Sequence, residues 1–148
     1  MIEVYTDGSA VVKGKYKGYG GIGVVFTVKG EVKDIISEGF NENAKTGQME
    51  LMAILKAMQK IKKTENIKIY SDSMYAVNTF RLNWINKWRR QGWVDRKNVE
   101  LLKELLSEYN KFKENKGSVE FVHVKGHSGN EFNELADQLA NYKNFIKN

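Results

Sequence analysis

The chain has no cysteine and no proline. Without thiols it can form no disulfide, thiolate zinc site, iron–sulfur cluster or cysteine nucleophile, which fits a reducing interior. Without proline it has no prolyl isomerisation to slow its folding. Histidine is nearly absent as well, with only His123 and His127. No long apolar run occurs, and the N-terminus opens on a strand pattern at Ile2 rather than on a signal region. A cytoplasmic protein without membrane contact, acting as a monomer, is therefore expected. Nothing in the 148 residues reads as a linker, repeat or low-complexity segment, so one domain over residues 1–148 is predicted.

Charge is unevenly placed. Between Arg81 and Lys97 stand Arg81, Lys87, Arg89, Arg90, Arg96 and Lys97 against Asp95 alone, a local net of +5 out of +6 for the whole chain. Trp84, Trp88 and Trp93 fall inside the same segment. Such rings pack a short helix onto its body, and interleaved with cations they also suit a nucleic-acid backbone groove, with charge for phosphates and flat faces for sugars and bases. Both roles stay open for different tryptophans.

Apolar spacing predicts strands over Ile2–Thr6, Tyr19–Val28 and Val32–Phe40, the last two joined by a Lys29-Gly30 hairpin, so that the three are antiparallel neighbours. Helical spacing follows over Gln48–Ile61, with Thr46 as N-cap, then a strand over Asn66–Ser71 and helices over Ser73–Phe80 and Trp84–Gln91. A long amphipathic helix over Asn98–Phe112, a fifth strand over Ser118–Val124 and a closing helix over Asn130–Phe145 complete the pattern. The fold class is α/β: a mixed five-stranded sheet, three antiparallel strands with parallel additions, flanked by helices.

Four acidic residues stand out among the 18. Asp7 follows a strand pattern and precedes Gly8-Ser9, which predicts a position at a strand's C-terminal end, and Asp72 repeats that arrangement. Carboxyl ends of neighbouring parallel strands form the usual ligand crevice of an open α/β sheet. Glu50 and Asp137 lie on helical patterns able to reach the same end. Singly, each reads as a solvated acid or a helix cap. Converged, they would repel and resist desolvation unless they held divalent metal.

Two other motifs lead nowhere. Gly18-Tyr19-Gly20-Gly21-Ile22-Gly23 fits the dinucleotide string, yet it runs into strand residues where a helix N-terminus is needed. Glycines of this kind mark bulges or close approaches. His123 and His127 have the i, i+4 spacing of a helical zinc pair, but they sit on a strand and in a glycine-flanked loop, so zinc is not expected. His123 reads as a strand residue with a satisfied ring nitrogen, and His127 as a group placed for proton transfer.

Taken together, YTDGS around Asp7, MEL around Glu50, YSDS around Asp72 and the run HVKGHSGNEFNELADQLA resemble type 1 ribonuclease H over nearly the whole chain. The resemblance implies an RNase H-like fold and endonucleolytic hydrolysis of the RNA strand of RNA–DNA hybrids, leaving 5′-phosphate and 3′-hydroxyl ends. It implies Asp7, Glu50, Asp72 and Asp137 as ligands of two Mg²⁺ ions, for which Mn²⁺ could substitute, and His127 as an aid to proton transfer or product departure. Trp84, Lys87, Trp88, Arg89, Arg90 and Trp93 look like the family's basic protrusion, here about residues 81–97, which grips the DNA strand. Gly8 and Ser9 are placed to meet 2′-hydroxyls. Where many members have paired amides before the glutamate, this chain reads Lys45-Thr46-Gly47-Gln48, so Lys45, Thr46 and Gln48 are expected to make the substrate contacts there. Rival readings are a DNA-directed nuclease of the same fold, a non-catalytic hybrid-binding module, and a relative of reverse-transcriptase ribonuclease domains.

Overall fold

The computed structural model describes residues 1–126 and 129–146. The strands are β1 (Ile2–Ala10), β2 (Gly20–Val28), β3 (Glu31–Phe40), β4 (Asn66–Ser71) and β5 (Ser118–His123). The helices are α1 (Thr46–Lys60), α2 (Met74–Arg81), α3 (Trp84–Arg90), α4 (Val99–Glu114) and α5 (Glu131–Ala140), and a 3₁₀ turn (Tyr142–Phe145) follows. The strands form one sheet in the order β3-β2-β1-β4-β5. Pairing is antiparallel among the first three and parallel for β1–β4 and β4–β5, the mixed sheet the sequence predicts.

Alternation along the strands sorts side chains to two faces. Val4, Ile22, Val24, Ile67 and Ile69 face α1 and, with Leu51, Ile54, Leu55 and Met58, build the main core, which α4 completes with Leu102, Leu105 and Phe112. Tyr5 and Val25 point the other way, under Ala136 of α5, with Phe132, Leu135 and Leu139 around them. The glycine-rich start of β2 marks a close approach: a Cβ on Gly23 would lie 2.1 Å from Ala136 O. Only hydrogen there lets α5 settle onto the sheet.

Three sequence expectations shift. β1 does not end near Asp7: its parallel pairing with β4 stops at Thr6↔Ser71, while antiparallel pairing with β2 continues to Ala10↔Gly20. Thr46 is not the N-cap of α1 but its first residue; Lys45, in extended conformation, caps the helix, and its N–H donates to Gln48 Oε1 (3.3 Å). The closing helix stops at Ala140, because Asn141 turns extended and its side chain accepts from Lys143 N–H (2.9 Å), a local bond that competes with the helix. Among the described residues no helix is long and apolar enough to cross a membrane.

Candidate metal centre and nucleic-acid surface

Strand alternation places Asp7 with Tyr5, and Asp72 with Tyr70, on the α5 face of the sheet, one residue past the last β1–β4 pair. Parallel neighbours are about 4.8 Å apart, so the two carboxylates are brought together by backbone register alone. Glu50 arrives from the opposite face, on the second turn of α1. What admits it is Gly8, whose Cβ would sit 2.3 Å from Met49 C and 2.4 Å from Glu50 N. Backbone cannot yield as a flexible side chain does, so Gly8→Ala should push α1 off β1, costing about 2 kcal/mol and pulling Glu50 away from Asp7. Thermal melts check this, with Gly47→Ala as control, since nothing lies within 4 Å of a Cβ there.

Ligand oxygens of Asp7, Glu50 and Asp72 all lie within 4.8 Å of one another. Asp7 and Glu50 are buried, at 4% and 6% exposure, and Asp72 is half-buried. Asp137, exposed on α5, completes the group from the rim: its carboxyl interacts with that of Asp7. Burial, then the Asp137 carboxyl and the Asp72 charge, pushes Asp7 far above the usual carboxylate range. Burial, then the charges of Asp7 and Asp72, does the same to Glu50. Glu50 Oε2 is buried without a hydrogen-bond partner among the described residues. An unpartnered buried carboxylate oxygen amid like charges, in an all-oxygen donor set, is what a hard divalent cation such as Mg²⁺ or Mn²⁺ satisfies. The residues fit such a metal.

The surroundings are fixed by short bonds. Gly8 N–H donates to Asp7 Oδ1 (3.0 Å) and Ser9 Oγ to Ala140 O (2.7 Å). His123 Nε2 lies 3.2 Å from Asp72 O, the satisfied strand histidine expected. A Cβ on Gly126 would lie 3.2 Å from Asp72 Oδ2, so the segment after β5 passes the carboxylates. His127 lies outside the described residues.

The tryptophans divide. Trp88 is buried at 8% exposure, with Tyr75 stacked on it (6.3 Å between centroids), Trp84 tilted beside it (6.0 Å) and the Arg96 guanidinium 5.1 Å from its centroid. It takes the packing role. Trp84 and Trp93 are partly buried, and Lys87, Arg89 and Arg90 are exposed. Gly92, Trp93, Asp95 and Asn98 all have positive φ (74°, 61°, 58° and 60°), and Trp93 N–H is tied to Trp88 O (2.9 Å). This strained loop faces the start of α1 across a cleft of about 640 Å³, lined by Lys45, Gly47, Gln48, Tyr75, Asp95, Arg96, Lys97 and Asn98. The sequence reading missed Tyr75 and Arg96 as residues of this cleft; Arg96 was visible only within the +5 segment, and Tyr75 only as the third residue after Asp72. Thr46 is exposed, and Gln48 is half-buried.

A family model of RNase H matches residues 1–144. The ribonuclease H of Thermoanaerobacter sp. (strain X514) is 37% identical over 145 residues, which is 95% of this chain and 87% of that protein. The crystal structure of LC9-RNase H1, a type 1 RNase H with the type 2 active-site motif, aligns at a TM-score of 0.70 and 28% identity, covering 94% of this chain and 69% of its own. That of LC11-RNase H1 in complex with RNA/DNA hybrid aligns at a TM-score of 0.65 and 24% identity, covering 95% and 94%. The chain belongs to the RNase H family of ribonucleases.

Proposed function

We propose that this chain cuts the RNA strand of RNA–DNA hybrids endonucleolytically, giving 5′-phosphate and 3′-hydroxyl ends with two divalent ions as cofactors. The observation that carries the reading is the convergence of Asp7, Glu50 and Asp72 around an unpartnered Glu50 oxygen in a chain of this family. Asp7, Glu50, Asp72 and Asp137 would hold the ions. Bound there, Mg²⁺ would supply an activated water for in-line attack at phosphorus and stabilise the leaving oxygen. The chain's own part is positioning. Gly8 fixes how near Glu50 comes to Asp7, and the β1–β4 register fixes Asp72. His127 is assigned to proton transfer or product departure on its place in the sequence.

Substrate grip falls to exposed cations. Lys87, Arg89 and Arg90 on α3 would meet phosphates of the DNA strand, with Trp84 and Trp93 beside them, while Trp88 supports the helix from within. Ser9 Oγ already donates to Ala140 O, so toward a 2′-hydroxyl it can only accept. Lys45, exposed at the rim of the 640 Å³ cleft, would take a phosphate where other members place amides. Lys45→Ala should then weaken hybrid binding and flatten its salt dependence by about 0.9 in the log–log slope. An unchanged slope in a salt titration removes Lys45 from the contact.

The test is cleavage of an end-labelled RNA–DNA hybrid in Mg²⁺ beside matched single-stranded RNA, duplex RNA and duplex DNA. Cutting confined to the hybrid's RNA supports the reading. Cutting of duplex DNA would make it a DNA-directed nuclease, and hybrid binding without cutting a binding module.

A further inference from the structure

The segment joining β1 to β2 carries Lys13, Lys15 and Lys17 and no acidic residue; the flanking acids along the chain are Asp7 and Glu31. All three lysines are exposed, and none forms an ion pair among the described residues. The loop is nonetheless tied down. Val11 N–H donates to Tyr19 O (2.8 Å), Gly18 N–H to Val11 O (3.0 Å), and Ala44 N–H to Gly18 O (3.0 Å). Tyr16 packs edge-on against Tyr19 (5.3 Å) and tilts against Tyr142 beyond α5 (5.6 Å). Lys15 Nζ stands 5.5 Å from the Tyr16 centroid.

Its position links it to the surfaces already described. Lys17 and Lys45 line one cleft of about 230 Å³, and Lys45 also lines the cleft holding Arg96 and Lys97. On the other flank, Val11 shares a cleft of about 250 Å³ with Ser9, Asp137 and Tyr142. A basic tract thus runs from the protrusion through Lys45 to this loop, along the rim of the carboxylates. Against it, Asp95 lines the cleft with Arg96, and the exposed Glu42 stands on the adjoining β3–α1 connection. Cations on a preordered loop beside a nucleic-acid site form bonds to backbone phosphates at little ordering cost.

We propose that the Lys13–Lys17 loop, through Lys15 and Lys17 above all, is a second phosphate anchor for the nucleic-acid substrate, on the far side of Lys45 from the basic protrusion. This rests on the reading that the substrate is an RNA–DNA hybrid. The aromatic rings act as staples that hold the loop against the body.

The test compares four proteins in binding titrations of a labelled hybrid over a salt series: wild type, Lys15→Ala/Lys17→Ala, Lys15→Arg/Lys17→Arg, and Lys29→Ala/Lys33→Ala. The last pair makes the same charge change as the first near the β2–β3 hairpin, eight residues or about 27 Å along β2. The loop variant should lose about 2 from the log–log slope and raise KM with kcat kept, Lys15→Arg/Lys17→Arg should restore both, and the hairpin variant should match wild type. A loop-variant slope equal to that of wild type, or an equal change in the hairpin variant, overturns the anchor. Failure of the wild type to cut hybrid while binding it sinks the nuclease reading alone, because the slopes still decide the loop. Failure to bind hybrid sinks both.

Discussion

Asp72→Asn is expected to lower hybrid cleavage in Mg²⁺ by about 10³-fold or more, roughly 4 kcal/mol of transition-state stabilisation at 1.36 kcal/mol per factor of ten. The amide keeps the shape of the carboxylate but ligates a hard cation poorly and carries no charge. Asp72 adds to the repulsion on both Asp7 and Glu50, so its neutralisation should leave the metal-free fold as stable as before or more so. Hybrid affinity should survive, since the proposed phosphate contacts fall to exposed cations elsewhere. Single-turnover cleavage, a thermal melt and a binding titration on the same preparation separate these effects. Cleavage within about tenfold of wild type would remove Asp72 from the ligand set.

The second large effect is on the metal-free protein. Asp7 is pushed up by burial, then by Asp137 and Asp72, and Glu50 by burial, then by Asp7 and Asp72, whereas in the unfolded chain both ionise near pH 4. Across that interval the folded state binds more protons, so stability is full below the ordinary carboxylate range and falls as pH rises through neutrality toward the raised values. The loss at pH about 8 should be on the order of a few kcal/mol. Mg²⁺ should reverse it, because cation binding favours the ionised, folded form. Glu50→Gln removes one of the two groups, so its melting temperature should exceed that of wild type in chelator at pH about 8, match it near pH 4, and respond little to Mg²⁺. A wild-type melting temperature that stays level from pH about 5 to 8.5 in chelator would contradict the burial of these acids.

Most of the architecture was legible because alternation and helical spacing are local. Val4 and Tyr5, or Ile69 and Tyr70, declare opposite faces in the sequence itself, and of the four acids that the motifs single out three cluster while Asp137 meets Asp7 from the rim. What was not legible depends on partners distant in the chain. The length of β1 beyond Asp7 is set by β2, which keeps pairing after β4 has stopped. The cap of α1 falls on Lys45 because its N–H finds Gln48, which no propensity for lysine would suggest. Apolar spacing runs on to Phe145, but the side chain of Asn141 ends the helix five residues earlier. Trp88 looked like its two neighbours until packing buried it. The lysines at 13, 15 and 17 vanished into the near-zero charge of the rest of the chain, because a summed charge does not see which cations share a rim.

The attachment of α5 bears on how the protein is made. Three carboxylates are in the chain by residue 72, but the fourth rides on the last helix, seated against Gly23 and fastened where Ser9 and Ser37 hydroxyls take the carbonyls of Ala140 and Leu139. On the ribosome those seats wait empty until α5 has left the exit tunnel, so a chain short of α5 carries Asp7, Glu50 and Asp72 but not Asp137. Seating of α5 is therefore the step that brings the rim acid to the pocket, however early the other three acids are synthesised.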